Sequence, residues 1–110
     1  MENSEQKSAS SLVQRSLNAS EIVATLAKLE GWTLTGDGSD VAIEKTYKFP
    51  GYHETIAFVN AIVWIAHRTD HHPDLSVHYN RCVVRYATHS AGGITALDVD
   101  AAGQVDALLK

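Results

Sequence analysis

The sequence is expected to fold as an α+β domain. Its element order reads helix, strand, strand, helix, strand, strand, helix, with a four-stranded antiparallel sheet and helices on one face. Three observations carry that expectation. Apolar residues recur at helical spacing in three stretches, 19–30, 53–69 and 95–108. Between those stretches apolar and polar residues alternate at strand spacing. The links inside each strand pair are far shorter than the dozen or so residues a parallel crossover needs, so each pair reads as an antiparallel hairpin.

The first helix is expected over 19–30. Asn18 or Ser20 can cap it, and Glu21 stands where a capping box needs an acid after Asn18. Ile22, Leu26 and Leu29 form its apolar stripe, and Gly31 ends it as a left-handed cap. Trp32 to Thr35 and residues 41–49 then form a strand pair around the loop 36–40, and Pro50-Gly51 stops it. The helix over 53–69 carries Ile56, Phe58, Val59, Ile62, Val63, Ile65 and Ala66 on more than one face. It is expected to be more than half buried, with one side on the sheet and the other on a partner subunit. Strands over 75–79 and 82–88 flank a turn at Asn80-Arg81. The last helix starts at Thr95, with Asp98 as capping-box partner and Ile94 and Val99 as a hydrophobic staple.

Length and composition bound the function. A chain of 110 residues that is 45% hydrophobic has material for one core. Residues 1–17 read as a disordered polar tail and 18–110 as a single domain. The formal charge of −4, without a cluster of lysine and arginine, argues against direct nucleic-acid binding. The apolar run 56–66 is too short to cross a membrane and is broken by Asn60. Cys82 is the only cysteine, so no intrachain disulfide forms, and its apolar neighbours mark it as a small buried hydrophobe. A soluble, cytoplasmic protein is the default expectation.

The chemistry concentrates in the histidines. Of the six, all but His53 (His67, His71, His72, His78 and His89) lie within one short region. Three readings compete. A metal site has in its favour that His67 and His71 share a helix face if the helix persists that far. Against it stand the absence of an HExxH pattern and of a cysteine pair. A structural reading suits single rings such as His53 and His78. It suits adjacent His71 and His72 less well, because Pro73 holds His72 extended and neighbouring rings can then aim at one ligand. The third reading is general acid–base catalysis. No nucleophile motif and no phosphate loop is present, and Ala91-Gly92-Gly93 lacks the loop's spacing and lysine. Positioned proton donors and acceptors supply about 10²- to 10⁴-fold. That suffices for a step that already runs unaided, such as dehydration of a carbinolamine.

Asp70-His71-His72-Pro73-Asp74, then Tyr79-Asn80, Thr88-His89 and Ile94-Thr95 with Asp98, closely resemble the pterin-4a-carbinolamine dehydratases, as does Gly31-Trp32. The resemblance covers about 18–109. It implies removal of water from 4a-hydroxytetrahydropterin to give the quinonoid dihydropterin, with no metal and no cofactor. Carried over, His71, His72 and His89 are the catalytic rings. His72 and His89 form the acid–base pair at the departing hydroxyl, and His71 polarises or positions the substrate. Asp70, Thr88 and Ser90 line the pterin pocket with the histidines. Asp98 orients a histidine or caps its helix, and Trp32 walls the pocket or fills the core. The chain departs from the family at Leu75, where an aromatic is common, at His67, where glutamate is usual, and at Ser90 and Val99. The family also implies a homodimer or homotetramer. Some members bind another protein as a dimerisation or assembly factor, which is the alternative function.

Overall fold

The computed structural model describes residues 15–110; residues 1–14 of the expected tail lie outside the described residues. Among the described residues three helices and four strands follow in the expected order. Helix α1, Ala19–Leu26, starts from the capping box: Asn18 Oδ1 accepts from the Glu21 N–H and Glu21 Oε1 from the Asn18 N–H, each at 2.9 Å. It stops short of the expected residue 30. Beyond Leu26 the backbone tightens into bonds from Lys28 to Thr25 and from Leu29 to Leu26. Gly31 follows at φ +87°, the left-handed turn expected of it. Just ahead of α1, Leu17 is half-buried and donates its N–H to the Ile94 carbonyl at 2.8 Å.

Strands β1 (Thr33–Thr35), β2 (Ala42–Lys48), β3 (Asp74–Val77) and β4 (Arg81–Tyr86) form one antiparallel sheet in the order β1-β2-β4-β3. The side-chain period of two sorts the faces. Ile43, Tyr47, Cys82, Val84 and Tyr86 are buried in the core. Glu44 and Arg85 lie opposite each other on the open face and pair at 3.5 Å. Cys82 is fully buried, and burial pushes its thiol up, so it is an inert core group as expected.

Helix α2, Tyr52–Thr69, buries Thr55, Phe58, Ile62, Ile65 and Ala66. Val63 and Trp64 stay exposed. In the single chain the buried stripe packs on the sheet and the last helix, and the face carrying Val63 and Trp64 is the one left to the expected partner subunit. Asp70 ends α2 in the left-handed conformation at φ 52°. His71 consequently leaves the helix and shares no helix face with His67. Helix α3, Ala96–Ala107, begins at the expected Thr95–Asp98 capping box. No described helix is long and apolar enough to cross a membrane.

Candidate active site

Three chain segments meet where α2 ends, β4 has just ended and α3 begins. Each is delivered by a local signal: the left-handed turn at Asp70, the isolated bridge from Thr88 to Gly93, and the Thr95 cap. At their meeting point lies Asp98, which is fully buried. His71 Nε2 is 2.6 Å from Asp98 Oδ1. The other oxygen, Oδ2, accepts from the Thr88 hydroxyl at 2.8 Å and from the Thr95 N–H at 2.9 Å. The Thr88 and Thr95 hydroxyls are 2.8 Å apart. A backbone N–H can only donate, so Asp98 is the acceptor of the group. One carboxylate thus caps α3 and holds the His71 ring, which joins the two roles that the sequence left as alternatives.

Of the remaining site residues, Asp70, His72, His89 and Ser90 are exposed. His72 follows His71 directly and is exposed. It lines an apolar cavity of about 290 Å³ with His67, Ile62, Val63, Pro73 and Leu75. His89 follows Thr88 directly, is exposed, and opens the 3₁₀ turn His89–Ala91 that also carries the exposed Ser90. Asp70 is an exposed capping residue. His67 stacks on Trp64 with ring centres 5.7 Å apart. Among the described residues no group of three histidine, cysteine or acidic side chains is arranged to hold a metal ion.

Trp32 is only 4% exposed and belongs to the core. Its indole N–H donates to the Asp106 carboxylate, which also accepts from Tyr47 and from Lys45, the latter at 2.9 Å. Burial pushes the Asp106 carboxyl up, but the hydrogen bonds from Tyr47, Lys45 and Trp32 outweigh it and hold the group below its usual range. Sequence reasoning missed this cluster and the Tyr86 ring, which lies against His71 at 5.7 Å. A signal for the cluster was present. Lys45 stands between Ile43 and Tyr47 in the alternation, so it occupies a core-facing register that needs a buried partner.

An antiparallel sheet with helices on one face, and a buried carboxylate holding a histidine at its end, define the class: an α+β domain carrying a histidine–carboxylate site. The family model described as pterin 4 alpha carbinolamine dehydratase matches residues 15–108. The chain belongs to that family. It is 59% identical over 96 residues to a provisionally named pterin-4-alpha-carbinolamine dehydratase of Paracidovorax citrulli, covering 87% of this chain and 83% of that one. A similarly named Chromobacterium violaceum protein is 51% identical over 85 residues, covering 77% and 75% of the two chains. Among solved structures, a transcriptional coactivator/pterin dehydratase from Brucella melitensis superposes with a TM-score of 0.81 at 32% identity, over 87% of this chain and all of that one. A pterin dehydratase-like protein identified as a RuBisCO assembly factor shares the fold, with a TM-score of 0.62 at 21% identity over 72% and 89% of the two chains.

Proposed function

We propose that the protein removes water from 4a-hydroxytetrahydropterin to give the quinonoid dihydropterin, by proton transfer through His71, His72 and His89 and without a metal or cofactor. Family membership supports the substrate class. The observation that carries the chemistry is the 2.6 Å contact between His71 and the buried Asp98. With Asp98 accepting, Nε2 of His71 holds the hydrogen, which leaves Nδ1 as the ring nitrogen able to accept a hydrogen bond. His72 and His89 follow directly in sequence two of that carboxylate's three partners, His71 and Thr88, which supports their role as the acid–base pair.

The step is balanced. The lone pair on the ring nitrogen beside C4a forms a C=N bond as the C–O bond breaks. One imidazole gives a proton to the departing oxygen, which leaves as water, and the other takes the proton that the nitrogen sheds. Exchange with solvent resets both rings. Asp70 and Ser90 contact the pterin. Thr88 acts through Asp98, to which its hydroxyl is committed. The cavity beside His72 offers an apolar wall for a flat ring.

With 4a-hydroxytetrahydropterin generated in situ, the protein is expected to accelerate loss of the carbinolamine, and dialysis against a chelator is expected to leave the rate unchanged. A rate equal to the spontaneous one, or one restored only by added metal, contradicts the proposal.

A second, protein-binding reading is favoured by the exposed Val63 and Trp64 on α2 and by the coactivator naming of the Brucella relative. The same surface suits a homo-oligomer. Light scattering is expected to give the mass of a dimer or tetramer, and a monomer mass at micromolar concentration excludes that use of the surface.

A further inference from the structure

Tyr86 closes β4 and is fully buried. Its ring stacks against the His71 imidazole, with centroids 5.7 Å apart and planes inclined by only 13°. Trp32 lies against the same ring at 6.2 Å and 38°. Trp32 is itself anchored, because its indole N–H is 3.2 Å from each oxygen of Asp106. The Tyr86 hydroxyl, by contrast, has no hydrogen-bond partner among the described residues. Burial and the Asp98 charge push it up to about 12, so it neither gives nor takes a proton near neutrality. A buried hydroxyl of that kind is a liability. What Tyr86 contributes is its flat face.

A single hydrogen bond fixes one atom of an imidazole and leaves the ring free to turn about that contact. Asp98 alone would therefore hold Nε2 and not the plane. A parallel aromatic face removes the remaining rotation, since an offset stack is lost when the planes tilt apart. We propose that Tyr86 is a positioning residue for His71. Its ring sets the imidazole plane so that Nε2 stays on Asp98 while Nδ1 is held toward the ligand, and the anchored Trp32 keeps the Tyr86 ring in place. The kinetic consequence rests on the dehydratase reading; the ring geometry does not.

The test compares the full chain carrying Tyr86→Leu, which removes the flat face, with Tyr86→Phe, which keeps it and removes only the hydroxyl. The Leu variant is expected to lower kcat about 10- to 100-fold, the scale of a catalytic group displaced by a fraction of an ångström to an ångström. KM should stay within about twofold, and the Phe variant should restore wild-type kcat. A folded Leu variant with unchanged kcat overturns the proposal, and so does a Phe variant as slow as the Leu one, since the hydroxyl would then be the working group. NMR of the His71 ring protons decides independently of turnover and of whether the Leu variant folds. In wild type and Tyr86→Phe a nuclear Overhauser contact should join the His71 ring protons to the ring of residue 86, as centroids 5.7 Å apart require. Its absence in the wild type overturns the inference even if the enzyme is active, whereas the contact in a protein without turnover leaves the geometry standing and faults the dehydratase reading alone.

Discussion

Replacing Asp98 with alanine is expected to destabilise the fold by about 3 kcal/mol and to abolish most of the activity. The stability loss has named parts. Loss of the N3 side of a capping box costs about 1 kcal/mol. The buried Thr88 hydroxyl and Thr95 N–H both lose their acceptor, and an unsatisfied buried donor costs about 1–3 kcal/mol. The hydroxyls retain each other at 2.8 Å, which limits the total. Asp98→Asn separates the two jobs of this side chain. Its amide oxygen can still accept from the Thr95 N–H, so about half of the lost stability should return, measured as the urea midpoint. Its amide does not reproduce a carboxylate's hold on His71, so the activity should not return with it. Full recovery of turnover in the asparagine variant would reduce Asp98 to a helix cap.

His72→Ala and His89→Ala are each expected to lower kcat by about 10²- to 10⁴-fold, the range supplied by one positioned acid or base. Both side chains are exposed and neither is tied into the Asp98 group, so melting temperature and far-UV circular dichroism should stay at wild-type values. Two rings that act in one concerted step are not additive. The double variant is therefore expected to fall little below the slower single one. Activity that survives in both single variants would move the proton transfer to other groups.

The parts of the fold that were legible are those written in local signals. Asn18 with Glu21 and Thr95 with Asp98 read as capping boxes because the donor, the acceptor and the apolar run lie within a few residues of one another. The strand pairs read from alternation, and the left-handed turn at Gly31 from its residue type. The end of α1 was overestimated because Leu29 keeps the apolar spacing through a tightened turn that is no longer α-helical. Counting apolar positions along α2 does not say which of them find a partner in the same chain; Val63 and Trp64 do not.

The candidate site divides in the same way. The histidines and Asp98 stand out by type and spacing, and the second use of Asp98 as a cap was weighed from its place after Thr95. That one carboxylate serves both uses depends on a contact between residues 27 positions apart, which no local pattern encodes. Tyr86 was hidden for a different reason. As one member of an alternating strand it satisfies the core pattern completely, and only the three-dimensional placement of the His71 ring parallel to its own gives it a further meaning. Trp32 was placed in the core or in the pocket wall. The structure puts it in the core, where it reaches the histidines through Tyr86.

The central claim is that His72 and His89 move protons on a pterin carbinolamine that His71 positions. Its most direct test is the initial rate of 4a-hydroxytetrahydropterin loss, measured side by side for buffer, wild type and the His72→Ala/His89→Ala double variant. The account predicts a wild-type rate well above buffer and a double variant close to it. A wild-type trace that overlays the buffer trace, or a double variant as fast as wild type, contradicts it.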